Sequence, residues 1–360
     1  MKSIAVSVLK WAVRVGVSFW IAAIFFHSPG VNGYNRAEFS EMVYGQAWRP
    51  FVTRALFPAM VRVVSQGIPS SFDSAVQKSE LGSRVLSTWY VEKELKWHPP
   101  FLREYFVAFF LSAACLVLLS LTMERLWAAM FSPSTPHGYA FSILGLLGLP
   151  TCFKYYSYIY DFPTLVLYTT CLLLMARRRW GWYFFVFGLC CLSKETAILL
   201  VIVFAIYFIR CANSERGMYW ASIATQVLIW AATRTGLAYV FRENPGGTVE
   251  LHLVDHNLRL LTEPSPLEAL FVWGMLIVLY VHEFHRKPWL LRVASGMIAP
   301  LLALCLFFGY LDELRDYYEV YVPVVALIGY SVCAMAGYRI ETRAPTNASS
   351  VRRIRAAADA

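Results

Sequence analysis

The chain has 360 residues, of which 58% are hydrophobic and only 15% are charged, and its mean hydropathy is +0.51. A soluble domain does not need so much apolar surface, so the composition indicates a membrane protein. The net charge of +9 would suit nucleic acid, but Lys and Arg flank the hydrophobic segments instead of forming one basic face. We therefore expect no nucleic acid partner.

A series of apolar segments predicts an all-α, polytopic transmembrane helical bundle with about ten spans, since a spanning helix needs about 20 mostly apolar residues. We expect residues 1–337 to form a single transmembrane domain and residues 338–360 to form a basic, disordered cytoplasmic tail. The predicted spans are 9–27, 105–123, 137–153, 161–176, 181–193, 196–210, 217–241, 266–282, 293–311 and 320–337.

The placement of Lys and Arg predicts that both chain ends lie in the cytosol. Cytoplasmic loops near the ends of spans carry an excess of these residues. With the N-terminus inside, the inner loops and the tail collect most of them: Arg125, Arg177, Arg178, Arg179, Arg210, Arg216, Arg286, Lys287, Arg292, Arg339, Arg343, Arg352, Arg353 and Arg355.

The stretch 181–210 has basic residues on both flanks, so an even number of crossings is needed there. Thirty residues are short for two full spans. We expect two short helices that break at Ser193-Lys194-Glu195-Thr196. Irregular backbone at membrane depth is tolerated where it lines a cavity or packs within protein.

The long first loop, residues 28–104, is predicted to be extracytoplasmic and to carry helices that lie along the membrane interface. Residues 49–66 mix apolar side chains with Arg54 and Arg62, and residues 84–97 combine aromatic and charged side chains. This mixture is typical of helices with an apolar face towards lipid and charges towards water.

Four polar clusters face the same compartment under this topology, which suggests that they form one site. For each cluster alone, the simpler interpretation is that charges gather where helices leave the membrane. The clusters are Tyr34 to Glu38 with Glu41, Arg49 and Arg54; Lys154 to Pro163; Lys194 with Glu195; and Asp312 to Asp316 with Glu319. Arg234, late in a predicted span, lies on the same side.

Several of these residues have a structural alternative. Asp161 precedes Phe162-Pro163 and is either a helix cap, a catalytic carboxylate or both. Lys194 and Glu195 are alternatively an internal ion pair at a helix break. Arg234 either extends to the interface or binds a phosphate.

A structural salt bridge is the favoured interpretation of Asp312, Glu313 and Arg315.

The histidines show no metal-ligand spacing. The eight cysteines all lie in or beside apolar runs, as small buried hydrophobic residues do. The chain has no nucleotide-binding Gly-rich loop and no nucleophile elbow, so a donor substrate would have to arrive from the membrane.

The layout is similar to that of a known superfamily, the GT-C integral-membrane glycosyltransferases, in particular uncharacterised bacterial members. It resembles them in the first span, the long loop and the segments with candidate acids. These are Glu38 and Glu41, Tyr160-Asp161-Phe162-Pro163, Ser193-Lys194-Glu195-Thr196, and Glu313-Leu314-Arg315 with Pro323. One departure is that the first acid of the family is usually Asp, whereas residues 28–72 contain no Asp.

The resemblance implies transfer of a sugar from a polyprenyl-phosphate-linked donor to an extracytoplasmic acceptor at a bacterial inner membrane. It implies Glu38, Glu41 or Asp161 as the catalytic base. Substrate and phosphate binding would fall to Arg49, Arg54, Lys194, Glu195, Arg234 and Arg315. No cofactor is assigned and no metal ligand is nominated, so dependence on a divalent metal stays open, and the expected partners are membrane lipid and the lipid-linked sugar donor.

Two other functions remain open at this point. A transporter or flippase of a lipid-linked or anionic substrate also uses broken helices, and a non-catalytic subunit would use the long loop as a scaffold.

Overall fold

The computed structural model describes residues 2–69, 71–78, 93, 95–131, 137–209, 216–247, 251–262, 267–338 and 340–342. Within these residues the chain is all-helical, and the only β-type pairing is an isolated bridge between Phe131 and Thr342. The all-α prediction is therefore confirmed.

The helices are numbered here in chain order. They are α1 Lys2–Phe25, α2 Phe39–Tyr44, α3 Leu56–Gln66, α4 Ser71–Lys78, α5 Leu102–Met130, α6 Gly138–Leu147, α7 Asp161–Ala176, α8 Trp180–Ser193, α9 Ile198–Ile209, α10 Arg216–Val240, α11 Leu258–Thr262, α12 Leu267–Val281, α13 Trp289–Gly296, α14 Ile298–Phe308 and α15 Tyr318–Met335. Short 3₁₀ turns fall at Asn35–Ala37, Phe51–Thr53, Pro99–Phe101, Leu149–Cys152, Glu195–Ala197, Phe284–Arg286 and Leu314–Tyr317, and π turns at Phe26–Gly30 and Leu253–Asn257.

Several apolar helices indicate an integral membrane protein. Four are long and apolar enough to cross a bilayer: Ile4–Gly30, Leu102–Met130, Trp289–Phe308 and Leu314–Met335. Shorter apolar helices are Gly138–Cys152, Asp161–Ala176, Trp180–Ser193, Glu195–Ile209 and Leu270–Val281. Helix α10 occupies the predicted span 217–241 but is less apolar than the four long helices.

Helix α5 lies in the middle of the bundle, packed against α1, α3, α6 and α7. Hydrogen bonds between polar side chains connect three of these helices: Arg14 donates to Ser120 at 3.0 Å, and Ser120 donates to Ser142 at 3.0 Å. Arg14 also forms an ion pair with Glu124. Charged groups in apolar surroundings persist when they are paired in this way, so the network joins α1, α5 and α6.

Helices α8 and α9 form an antiparallel pair. The ring of Trp180, at the start of α8, lies 5.1 Å from that of Phe208, near the end of α9, and the rings of Tyr183 and Phe204 are 6.1 Å apart. The predicted break and reversal within 181–210 are confirmed. With 14 and 12 residues, the two helices are about 20 Å long at ~1.5 Å per residue, less than the ~30 Å of a hydrocarbon core.

The first loop contains the predicted helix within residues 49–66. Helix α3 buries Phe57 and Val61 against the bundle and leaves Met60, Val63 and Val64 exposed by 44%, 66% and 46%. An apolar face on both sides of a helix suits a position between protein and lipid. The second predicted helix, 84–97, lies mostly outside the described residues, as does most of the tail 338–360.

The bundle has two distinct ends. At the first, called the loop end, the first loop meets the turns at 153–160, 194–197, 241–247 and 309–317, as in the bond from the Arg49 amide to the Pro245 carbonyl (2.8 Å). At the other, called the basic end, residues 176–179 and 285–292 surround one cavity.

Candidate functional site

A pocket of about 160 Å³ lies at the loop end. All four predicted polar clusters reach its lining, so they do converge on one place. The lining residues are Tyr34, Pro50, Phe51, Arg54, Tyr156, Tyr158, Glu195, His252, Phe308, Gly309, Tyr310, Glu313, Arg315 and Asp316.

Aromatic rings form much of the pocket wall. The ring of Tyr34 lies 5.0 Å from that of Tyr156 and 5.4 Å from that of Phe51, and the Phe51 and Tyr158 rings are 5.3 Å apart. Neighbouring rings at these distances hold one another in place. The wall therefore offers rigid, flat apolar surfaces whose tyrosine hydroxyls supply polar groups.

Arg54 joins the first loop to the turn between α8 and α9. It donates to both carboxylate oxygens of Glu195, at 2.5 and 3.2 Å, and also to the Tyr160 hydroxyl. Arg234 of α10 lies 3.7 Å from the same carboxylate and donates to Thr53 at 2.8 Å. Glu195 is thus held between two arginines, which keeps it ionised and makes it a weak candidate for proton transfer.

Arg315 reaches the pocket from the turn before α15. Its Nε donates to Glu313 at 2.7 Å, its guanidinium lies 4.0 Å from the centre of the Tyr158 ring, and an Nη is 3.8 Å from Asp161. Burial raises the pKa of Glu313, against the opposing effect of Arg315. Arg315 has five N–H donors, so donors remain for a ligand beyond the bond to Glu313.

Asp161 is buried behind Arg315 and does not line the pocket. Its carboxylate accepts a hydrogen bond from the Tyr158 amide at 3.1 Å, upstream of α7, and none from the first turn of its own helix. The cap hypothesis is therefore wrong in its usual form. Asp161 instead fixes the loop that carries Tyr158 and helps to orient Arg315.

Lys194 and Glu195 do not pair with each other, so the alternative of an internal ion pair is wrong. Lys194 forms a salt bridge of 2.9 Å with Glu319 of α15, which also accepts a hydrogen bond from Thr196. Glu195 points the other way, to Arg54. The backbone at Lys194 is extended, and consecutive side chains of extended backbone point to opposite sides.

A second polar cluster lies beside the pocket, centred on Asp312. Lys154 donates to it at 2.6 Å, His256 is 2.9 Å away, and the Tyr155 hydroxyl also donates. Burial alone would raise the pKa of Asp312, but these hydrogen bonds outweigh it and lower the pKa to about 2. The predicted salt bridge among Asp312, Glu313 and Arg315 thus holds only for Glu313 and Arg315.

Asp316 is a half-buried carboxylate that lines the pocket. Among the described residues, no hydrogen bond or ion pair to its side chain is formed. An acceptor that is not engaged elsewhere is suited to receive a proton from a bound hydroxyl. The sequence placed Asp316 in the fourth cluster without singling it out.

Glu38, Glu41 and Arg49 lie in the first loop outside the pocket lining. Glu38 is 3.8 Å from His98, and Arg49 donates to the Gly246 carbonyl at 2.7 Å. One carboxylate oxygen of Glu41 is buried without a partner among the described residues. Burial, and secondarily the nearby Glu38, raises the pKa of Glu41.

Of the residues nominated from sequence, the pocket is lined by Arg54, Glu195 and Arg315. Sequence reasoning missed His252, Phe308 and Tyr310 as lining residues, and it placed Asp316 in the fourth cluster without nominating it as a site residue. No local signal in the sequence marks His252 as a lining residue, because its position depends on a segment that turns back over the pocket: the His252 amide donates to the Phe307 carbonyl at 2.8 Å.

Within the described residues, no group of His, Cys, Asp and Glu is arranged to hold a metal ion. The cysteines in this part of the chain are unpaired, and Cys152, Cys171, Cys190, Cys191 and Cys305 are buried, as expected from sequence.

Comparison of the chain with protein-family models, curated protein sequences and solved structures finds no match.

Proposed function

We propose that the chain is a membrane glycosyltransferase that transfers a sugar from a polyprenyl-phosphate-linked donor to an acceptor hydroxyl in the loop-end pocket. The observation that supports this is the composition of the pocket lining: two arginines, a carboxylate with unengaged oxygens, and several aromatic rings. Arginine matches phosphate geometry, and the rings offer flat surfaces for a sugar.

The proposal includes the orientation of the protein. The bundle crosses the membrane about ten times, both chain ends lie in the cytosol, and the loop end faces the extracytoplasmic side of a bacterial inner membrane. Helix α3 then lies in the interface with Met60, Val63 and Val64 towards lipid, consistent with their exposure.

The pocket size limits what enters it. Its volume of about 160 Å³ is below the ~300 to 1,000 Å³ typical of pockets for drug-sized ligands. It suits one sugar-phosphate headgroup, while the polyprenyl tail lies outside between the helices and lipid.

In the proposed reaction Asp316 removes the proton of the acceptor hydroxyl. The acceptor oxygen forms a bond to the anomeric carbon as the bond from that carbon to the phosphate oxygen breaks. The polyprenyl phosphate leaves with the electron pair, and Arg315 and Arg54 stabilise its developing charge. Asp316 thus takes the role for which the sequence nominated Glu38, Glu41 or Asp161.

The test uses purified protein in nanodiscs with polyprenyl-phosphate-linked hexoses and measures release of polyprenyl phosphate. We expect Asp316→Asn to lower the rate by about 10²- to 10⁴-fold, the usual contribution of a general base, with unchanged donor binding. Glu243→Gln is the matched control, because Glu243 is an exposed carboxylate at the same end. Equal rates in Asp316→Asn and wild type, or no donor binding, would refute the proposal.

A further inference from the structure

The basic end contains a cavity of about 890 Å³ that the proposed reaction does not use. One wall is the turn Arg177–Arg179 after α7. The facing wall is the segment from His285 to Arg292 before and within α13, and the ends of α5 and α9 together with Thr342 complete the lining. This volume falls in the range of ~300 to 1,000 Å³ found for ligand pockets.

The cavity concentrates positive charge from distant parts of the sequence. Among the described residues that line it, none is acidic, while Arg177, Arg178, Arg179, Arg286 and Arg292 are all present. Like charges around one concavity repel one another unless an anion lies between them. Glu283, just outside the lining, forms an ion pair of 2.6 Å with Arg286.

Two cations on the wall formed by residues 285–292 contact other groups of the protein. Lys287 is buried and donates to the Leu279 and Tyr280 carbonyls at 3.1 and 2.7 Å, where α12 ends. The guanidinium of Arg292 lies 5.1 Å from the centre of the Trp289 ring. Neither is needed for the inference, which depends on the three arginines of the opposite turn.

Arg178 occupies a backbone position that ordinarily selects glycine. Its φ is +54°, and the turn is a Schellman motif: the Arg178 amide donates to Met175 at 3.1 Å and the Arg179 amide to Leu174 at 3.0 Å. Glycine is the usual residue at this left-handed position because a Cβ is unfavourable there. An arginine here carries a conformational cost that its side chain must offset, and its guanidinium lies 5.8 Å from the centre of the Phe208 ring, close to the ~6 Å limit of a cation–π contact.

We propose that this cavity binds a phosphate group, with Arg177, Arg178 and Arg179 as its ligands. Membrane phospholipid headgroups and soluble phosphates share that chemistry, and arginine binds both. The site is independent of the proposed transferase activity. It also differs from a purely topogenic role of these arginines, since orientation in the membrane needs charges near span ends but not their convergence around a cavity.

The experiment places the full chain in nanodiscs of phosphatidylcholine alone, or of equal parts of phosphatidylcholine and phosphatidylglycerol. A third sample adds inorganic phosphate to the phosphatidylcholine discs. The thermal unfolding midpoint is measured in each, together with phosphatidylglycerol retained in native mass spectrometry. Because a ligand that binds the folded state stabilises it, we expect the midpoint to rise by about 3 °C or more with the correct ligand.

The variant Arg178→Gly separates binding from folding. It removes one charge but relieves the left-handed backbone, so its midpoint in phosphatidylcholine should equal or exceed that of wild type. We expect it to lose at least half of the ligand-induced shift, and Arg177→Gln with Arg178→Gly and Arg179→Gln together to abolish the shift. Arg242→Gln, which removes one exposed charge at the loop end, should respond as wild type does.

A shift with phosphatidylglycerol alone assigns the site to a lipid headgroup, and a shift with inorganic phosphate assigns it to a soluble phosphate. Both outcomes support the phosphate site. No shift with either ligand, or the same shift in Arg178→Gly and Arg242→Gln, overturns it.

Discussion

Arg54 and Glu195 form a two-bond salt bridge, with distances of 2.5 and 3.2 Å, that ties the first loop to the turn between α8 and α9. Both side chains are largely shielded, with 12% and 34% of their surface exposed. Two segments of the chain 141 positions apart thereby form the same pocket wall.

Replacing Arg54 by Ala should therefore destabilise the fold. We expect a loss of about 2 kcal/mol, because Glu195 is left with one distant partner in a partly buried place. Removing Glu195 in addition should cost less than the sum of the two single changes, since they share one interaction. Chemical or thermal unfolding of the two single variants and the double variant measures this coupling.

The control is the exposed pair Arg242–Glu243, 2.9 Å apart with 56% and 85% of the side chains exposed. Arg242→Ala should change stability by no more than ~0.5 kcal/mol. If Arg54→Ala were equally harmless, the bridge would not hold the loop in place.

Asp312 gives the loop end a defined acid sensitivity. Its hydrogen bonds from Lys154, Tyr155 and His256 overcome the effect of burial and lower its pKa from 3.8 to about 2. The unfolded chain therefore takes up this proton at higher pH than the folded protein does. The stabilisation is fully present above about pH 4 and disappears as the pH falls towards 2.

The variant Asp312→Asn tests this window. At neutral pH it should be less stable than wild type by about 1 kcal/mol, and the difference should shrink as the pH falls from 4 to 2. Unfolding midpoints across that range provide the measurement. A constant difference between the two proteins at all pH values would contradict the role of the Asp312 carboxylate charge.

Arg315→Lys separates the shape of the arginine from its charge. Lysine keeps the positive charge but cannot donate to Glu313 and a phosphate through one planar fork, nor stack on Tyr158 in the same way. We expect donor affinity to fall by about tenfold and stability by about 1 kcal/mol. Equilibrium binding of the polyprenyl-phosphate donor and an unfolding curve measure the two effects, with Arg242→Lys as control. Unchanged donor affinity would exclude Arg315 as the phosphate ligand.

The sequence predicts the helical class and the reversal within 181–210 because both follow from local composition and flanking charges. It also predicts that Arg54, Glu195 and Arg315 belong to one site. It does not predict that Lys194 and Glu195 face opposite partners, since that depends on the extended backbone at one residue. The contributions of His252 and Asp316 depend on how the segment between α10 and α11 and the turn before α15 fold over the pocket, which no local pattern encodes.

Gly246 fixes the contact between the turn after α10 and the first loop. Its φ is +91°, and a Cβ there would lie 2.6 Å from the backbone carbonyl oxygen of Arg49. The Arg49 side chain also donates to the Gly246 carbonyl at 2.7 Å. Gly246→Ala should cost about 1 to 3 kcal/mol, because the clash is with backbone and the left-handed conformation becomes unfavourable.

Gly236→Ala is the matched control, since a Cβ at that position in α10 meets nothing within 4 Å and alanine favours a helix by ~1 kcal/mol. It should leave the fold as stable or make it more stable. Gly246 contacts Arg49, and the segment after Arg49 leads directly to Arg54 in the pocket lining. Gly246→Ala should therefore also weaken donor binding, whereas Gly236→Ala should not. Donor binding that is equal in the two variants would show that the 241–247 turn does not position the pocket wall.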